Sequence, residues 1–252
     1  MNIKYPMFSG SYTYEFGIRL FNSYAHEVLP APNAPFNQMI IQGRGIKDLS
    51  AMEVININML SIDVATIFLF IFVSMEIGRE FQNRSIQIYA SLIPNRKKYF
   101  MSKLVAYLFI SVIIGLIVSL LSMGNGYLII RIFNKPFPSI YQVMRFLFGC
   151  IFMPITYTVL AICASFFFRN TAGGIVSPLL IMFLPSFIKI FPSDIQDILI
   201  SIIPASAIHS LSGIARGAED IGIAVALLVL AMWCILGSII AVRSFGKKDI
   251  SN

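Results

Sequence analysis

The residues of this chain that could do chemistry are its charged side chains, and they are concentrated in one connector. From Glu76 to Lys103, six basic residues stand against two acidic ones, which gives the connector a net charge of +4. These residues are Glu76, Arg79, Glu80, Arg84, Arg96, Lys97, Lys98 and Lys103. They flank a short apolar stretch, IQIYASLI. This density of charge around an apolar core indicates a segment that is held in place rather than a free loop.

The apolar stretch has the spacing of a helix. Ile86, Tyr89, Ala90 and Ile93 stand at positions i, i+3, i+4 and i+7 and would share one face. Pro94 then ends that turn. A short amphipathic helix of this kind can fill a groove on a soluble partner protein, or it can rest on lipid headgroups. The residues alone leave both interpretations open.

The cysteine and histidine side chains, which could also be reactive, form no recognisable site. Cys150, Cys163 and Cys234 lie in apolar stretches, where cysteine usually packs as a small hydrophobic residue. His26 and His209 are far apart and lack metal-ligand spacing. The sequence has no phosphate-binding glycine loop, nucleophile elbow or membrane-embedded acid pair. We therefore expect no enzyme, no catalytic residue, no metal site and no cofactor in this chain.

The composition is that of an integral membrane protein. Of the 252 residues, 57% are hydrophobic and 12% are charged, with a mean hydropathy of +0.80. Soluble domains average roughly 45–50% apolar and about 25% charged residues.

Five apolar stretches reach the roughly 20 residues that a helix needs to cross the hydrocarbon layer. They are Val54–Met75, Leu104–Ile130, Phe146–Phe168, Asn170–Ile188 and Ile221–Val242. Helices are expected because lipid-exposed backbone must satisfy its own hydrogen bonds. The predicted fold is an all-α bundle of about five transmembrane helices.

The distribution of charge predicts the orientation of these spans. The connector, Arg169 and the basic tail after the last span lie on one side and account for the whole net charge of +7. Short basic connectors stay in the cytoplasm, so we expect a multi-pass protein of the cell membrane with a cytoplasmic C-terminus. Residues 1–53 form an extracytoplasmic segment, and 54–252 form the membrane domain. Topology and anionic lipid explain the basicity, so no nucleic-acid partner is expected.

Residues from about 54 to the end resemble the membrane subunits of type-2 ABC transporters, bacterial exporters of peptides, bacteriocins or drugs. The resemblance rests on a span that ends in EIGREF, followed by RSIQIYASLIPNRKKYFMSKLV, and on the basic tail RSFGKKDI. These are patterns of residue type rather than an invariant signature. The matching positions are Glu76, Gly78, Arg79, Glu80, Phe81, Ser85, Pro94, Arg96 and Lys103.

This resemblance implies a permease whose 76–103 connector forms a coupling helix for a separate ATPase subunit, which would hold ATP and magnesium. Glu76, Arg79 and Glu80 would anchor the connector, and Ile86, Tyr89 and Ile93 would fill the groove of the ATPase. A second copy of this permease, or a related one, would complete the transporter in the lipid bilayer.

The resemblance also carries expectations about the rest of the chain. The family has six spans, so its first span is expected to be missing here, either by truncation or in a five-span variant. The family also has two short helices that dip into the outer leaflet before the last span. Ile195–Ile203 and Ala205–Ile214 are expected to form them.

Five residues are candidates for a substrate path. Asp63 is an acid within an apolar stretch, a position where charge is often functional; it can equally cap the outer start of its helix. Gly173, Gly174, Pro178 and Pro185 interrupt the fourth span and can line a cavity or only kink the helix. The few fixed charges in the spans suggest a hydrophobic or amphipathic cargo. A non-transporting scaffold or immunity protein, and an ATP-independent secondary transporter, remain as alternatives.

Overall fold

The computed structural model describes residues 40–41, 44–45, 50–57, 59–83, 85–86, 96–132, 134–188, 191–214 and 220–247. Two short strands, β1 (Ile40–Ile41) and β2 (Arg44–Gly45), pair antiparallel. All other elements are helices: α1 (Ala51–Ile57), α2 (Met59–Gln82), α3 (Arg96–Ile132), α4 (Ile140–Phe168), α5 (Thr171–Ile188), α6 (Ser193–Ser201), α7 (Pro204–Ser212) and α8 (Ile223–Lys247).

Five of the described helices, α2, α3, α4, α5 and α8, are long and apolar enough to cross a membrane. The predicted helical class is therefore confirmed, and the protein is a multi-pass membrane protein by the length and composition of its helices. The described residues hold five such helices, or six spans if the bent pair described below forms one. The structure corrects the ends of the spans. Helix α2 continues past Met75 to Gln82, and α3 begins at Arg96. Much of the 76–103 connector is thus helical, because a helix can extend its charged turns beyond the hydrocarbon layer.

Helix α3 illustrates this extension. Its 37 residues span about 56 Å at 1.5 Å per residue, whereas the hydrocarbon layer is about 30 Å thick. The excess length carries three basic residues in the first turn and Arg131 in the last.

Helix α4 lies at the centre of the bundle and contacts α2, α3, α5, α7 and α8. Within its most apolar window 72% of residues are buried, compared with 17% for α3 and 11% for α8. The outer helices therefore bury little more than one face each, and lipid or another protein has to cover the rest. Helix α4 is sharply bounded, because Ser139 and Gln142 form a reciprocal capping box at its start and Arg169 ends it in the left-handed region at φ 56°.

Small residues allow other helices to approach α4 closely. A Cβ atom at Gly149 would lie 2.7 Å from the Cα of Ser212 in α7. One at Gly115 of α3 would lie 2.9 Å from the Cγ of Pro154 in α4. Glycine at these points brings helix backbones together, as is usual where membrane helices pack.

Helices α6 and α7 form a bent pair with an angle of 71° between them. They correspond to the two short helices predicted at Ile195–Ile203 and Ala205–Ile214. Pro204 begins α7, and Gly213 ends it with a φ of 74°, a conformation that favours glycine.

Three polar contacts hold this bent pair to the bundle. The indole Nε1 of Trp233 in α8 donates to the Ile202 carbonyl at the bend, at 2.8 Å. The Arg145 guanidinium of α4 donates to the Ser210 carbonyl near the end of α7. The Ser210 hydroxyl in turn accepts from the backbone nitrogen of Ile221, at 3.0 Å. The Trp233 bond satisfies a carbonyl at the break between the two helices, and the other two contacts fix the end of α7 to α4 and to the start of α8.

The contact between Gly149 and Ser212 generates a testable prediction. Gly149→Ala should lower the stability of the bundle by about 1–3 kcal/mol, because the new methyl group forces α4 and α7 apart. Thermal unfolding of the detergent-solubilised protein measures this change.

The matched control is Gly124→Ala in α3, where an added Cβ atom would meet nothing within 4 Å. This variant should be neutral or gain up to about 1 kcal/mol, because alanine is the better helix former. Equal losses in the two variants would contradict the close approach of α4 and α7.

Candidate functional site

The ends of α2, α3, α4 and α8 meet at one end of the bundle, here called the connector end, where α2 leads into α3. The carboxylate of Glu80 lies at its centre, accepting a hydrogen bond from the Tyr99 hydroxyl and pairing with the ammonium group of Lys103. The side chains of Lys103 and Glu80 are only 25% and 17% exposed. Lys103 also stands 5.8 Å from the centre of the Tyr99 ring. Loss of one partner from a partly buried pair of this kind costs more than loss of one partner from a surface pair, because the remaining charge is left partly desolvated.

An aromatic cluster lies beside Glu80 and joins four helices. It consists of Phe81 of α2, Tyr99 and Phe100 of α3, Phe166 of α4 and Phe245 of α8. Phe166 is its hub, with ring centres 5.1 Å from both Phe100 and Phe245 and 5.6 Å from Phe81, all edge to face. Edge-to-face pairs add stabilisation beyond the burial of apolar area. The cluster, here called the aromatic joint, therefore packs the ends of these four helices together.

Arg96 connects the start of α3 to the end of α8. Its Nη1 donates to the carbonyl oxygens of Phe245 and Gly246, at 3.3 and 3.4 Å. Cationic side chains are favourable there, because the last carbonyls of a helix carry partial negative charge. Burial lowers the pKa of the nearby Arg169, and the charge of Arg96 acts in the same direction.

The outward-facing pair on α2 is weaker. Arg79 and Glu76 lie 3.6 Å apart, with side chains 61% and 42% exposed. Exposed pairs of this spacing contribute little to stability. Glu76 and Arg79 are thus positioned at the surface, whereas Glu80 and Phe81 are packed within the joint.

Between Asn83 and Arg96 the structure describes only Ser85 and Ile86. Ser85 donates to the Glu80 carbonyl at 3.4 Å. Ile86 is 1% exposed and packs in the core near the aromatic cluster. Ile86 therefore faces the bundle, which corrects the expectation that its side chain fills a groove on a partner. Tyr89, Ile93 and Pro94 lie outside the described residues.

Gly78 marks a close crossing at the same end. A Cβ atom there would lie 2.7 Å from the Cα of Thr171 at the start of α5. A larger residue in place of the glycine in EIGREF would therefore clash with the start of α5. Through this contact α5 is drawn to the joint as well.

Three of the substrate-path candidates lie on one buried face of α5. Gly174, Pro178 and Pro185 are all buried there. A Cβ atom at Gly174 would lie 2.9 Å from the Ser74 hydroxyl of α2 and closer still to the Ser165 hydroxyl of α4. In this conformation Gly174 serves the packing of α5 against α2 and α4.

Gly173 and Asp63 are separate from that face. Gly173 is partly buried against Phe168, whose Cδ2 would lie 2.7 Å from an added Cβ atom. Asp63 precedes Ser74 by 11 residues on α2, which corresponds to about 16 Å along the helix. The structure therefore does not bring Asp63 together with the glycines of α5.

Asp63 does not cap the start of its helix. Helix α2 begins at Met59, so Asp63 lies inside the helix, where it is 4% exposed. Its Oδ1 atom has no hydrogen-bond partner among the described residues.

The connector end joins the ends of four helices through polar and aromatic contacts. In the described part of the chain, no group of three His, Cys, Asp or Glu residues lies close enough together to hold a metal ion. Residue types and spacing point to Glu80, Phe81, Arg96 and Lys103, but they do not point to the partners Tyr99, Phe166 and Phe245. Aromatic residues at the charged ends of three apolar segments were the available signal.

The bond between Glu80 and Lys103 generates the second prediction. Glu80→Gln and Lys103→Gln should each lower the free energy of unfolding by roughly 1–2 kcal/mol, because each leaves a partly buried group without its charged partner. The double variant should lose less than the sum of the two. Denaturant unfolding in detergent micelles measures the coupling.

Arg79→Gln is the matched control on the same helix and should change stability by no more than about 0.5 kcal/mol. Strict additivity of the Glu80 and Lys103 substitutions would show that the pair does not join α2 to α3.

No protein family, curated protein or solved structure matches this chain.

Proposed function

We propose that this chain is the membrane-spanning permease subunit of an ATP-driven ABC exporter, with the energy supplied by a separate ATPase subunit. One observation supports this above all: the short segment between α2 and α3 is flanked by residues bonded to four helix ends. Glu80, Tyr99, Lys103 and Arg96 supply polar ties, and the aromatic cluster supplies the packing. A push on that segment would reach α2, α3, α4 and α8 together.

In this proposal the ATPase docks in the cytoplasm on the segment between Asn83 and Arg96. The basic residues Lys97 and Lys98 are exposed at the adjacent start of α3. Tyr89 and Ile93 would fill the groove of the ATPase, since Ile86 is buried in the bundle. ATP and magnesium would bind in the partner alone. Nucleotide-driven closure would then rock the helices as bodies around the aromatic joint.

The substrate path would lie between this permease and a second copy, or a related permease. Helices α3 and α8 are the least buried spans, so they have apolar surface free for such a partner or for lipid. The bent pair α6–α7 would dip into the outer leaflet and form the outer side of the path. A hydrophobic or amphipathic cargo suits walls of this composition. This is the class to which peptides, bacteriocins and many drugs belong.

A docking variant tests the first half of the proposal. Tyr89→Asp combined with Ile93→Asp should release a co-purifying subunit with a Walker-type phosphate loop and the ATP hydrolysis that accompanies it. Charged side chains in place of the two apolar ones would have to be desolvated in the groove, so a loss of at least about tenfold is expected. Affinity purification from membranes, peptide mass spectrometry and ATP hydrolysis are the measurements.

Phe137→Asp is the control, because Phe137 is an exposed apolar residue that lies beyond the other end of α3. It should leave the ATPase bound. Retention of the ATPase by the double variant would refute docking on this segment.

A second experiment separates docking from transport. Inside-out vesicles containing the intact complex should move an amphipathic cargo only with ATP, and Glu80→Gln should slow this movement several-fold while the ATPase stays bound. The loss is expected because the push would no longer reach α3 through the Lys103 bond. An intact complex that moves no cargo would favour a scaffold, and movement without nucleotide would favour a secondary transporter.

A further inference from the structure

Asp63 is the only acidic side chain that is buried within the described spans. It lies far from the connector end. Its side chain is 4% exposed, on the face of α2 that packs against α4. The Oδ1 atom is buried and accepts no hydrogen bond from any described residue. An ionised carboxylate in such surroundings is strongly disfavoured, because it has lost its water and gained no compensating charge.

The neighbours of Asp63 on α4 are neutral. Cys150 and Tyr157 lie close enough to interact electrostatically with Asp63, and both are fully buried. The Tyr157 hydroxyl also lacks a hydrogen-bond partner in the described structure. So does the hydroxyl of Thr66, which follows Asp63 by three residues on the same face of α2. Three partnerless oxygens thus lie between α2 and α4.

The other helices that pack against α2 bring no cation to this site. Helix α5 contains no titratable residue. On α1, Glu53 forms a capping box with Ser50. At this end of α3, Arg131 and Tyr127 are exposed, and neither has a described hydrogen bond or ion pair to Asp63. The rest of the charge on α2 itself begins at Glu76, more than three turns away.

We propose that Asp63 is an intramembrane proton-binding site: its carboxyl group carries a proton while α2 and α4 are packed, and releases it when water reaches the space between them. A proton is the cation that this arrangement accommodates, because it requires no cavity and leaves a neutral group. Separation of α2 from α4 would expose the carboxyl to water, in which aspartic acid ionises at neutral pH. Packing of the two helices and proton binding are therefore linked. This site is independent of the proposed ATPase and of any cargo.

The first test compares infrared spectra of the detergent-solubilised full chain at pH 7.5, with each variant spectrum subtracted from that of wild type. The wild type should show the carbonyl stretch of a protonated carboxylic acid, which is well separated from the carboxylate bands and shifts in heavy water. Asp63→Asn should remove this band. Asp197→Asn, at an exposed aspartate on α6, and Glu80→Gln, at the ion-paired carboxylate, should retain it. Absence of the band in wild type, or its loss in Glu80→Gln, would overturn the proposal.

The second test uses linkage between stability and pH. The packed state holds the proton more tightly than the unfolded chain does, so it binds more protons above the ordinary aspartate pKa of about 3.9, and stability falls as pH rises. Relative to Asp63→Asn, the folded-to-unfolded ratio of wild type should fall by up to about tenfold per pH unit between pH 5 and 8. Asp197→Asn should follow wild type.

A wild type that instead gains stability over Asp63→Asn as pH rises would show an ionised, partnered carboxylate and would overturn the proposal. If Asp63→Asn does not fold, Asp63→Glu takes its place: the protonated-acid band should persist at a shifted frequency, and an unshifted band would show that it belongs to another carboxyl group and overturn the proposal. Neither measurement requires the ATPase, so failure here is distinguishable from failure of the exporter proposal.

Discussion

The packing of every other long helix against α4 is the constraint on which the rest of this structure depends. Helix α4 has almost no face left for lipid, so its neighbours must approach it on all sides. Because lipid tails are as apolar as leucine, this association cannot rely on the hydrophobic effect and needs close contact instead. The small residues Gly115, Gly149 and Ser165 provide it, each at a different helix crossing.

Polar groups are used differently at the two ends of this bundle. At the connector end, Glu80 and Lys103 neutralise each other, and Arg96 finds helix carbonyls, so charge becomes a means of joining helix ends. At the other end, Arg145 and Trp233 hold the broken pair α6–α7 through backbone oxygens. The Oδ1 atom of Asp63 has neither kind of partner among the described residues: no cation pairs with it and no group donates a hydrogen bond to it. Its burial is therefore a cost that a bound proton would remove.

Much of the fold could be predicted from apolar run lengths, because about 20 apolar residues in a row permit few structures other than a membrane-spanning helix. All five spans were found in this way, whereas the two short helices before α8 were expected from the family resemblance. The ends of the spans were not. Glu76 to Gln82 and Arg96 to Lys103 were assigned to a connector because they are charged, yet they continue α2 and α3. Charge indicates where the hydrocarbon layer ends, whereas backbone hydrogen bonding decides where the helix ends.

By itself, the sequence determined that this is a helical membrane protein, and that one connector carries an exceptional density of charge. Both follow from the local composition of the chain, which does not depend on contacts between distant residues. Only the tertiary structure decided which side each residue faces: Ile86 turned into the bundle, Phe166 became the hub of an aromatic cluster, and Asp63 lay buried against α4. These outcomes depend on contacts between residues far apart in the chain, and helical periodicity places a residue on a face without naming the helix that covers it.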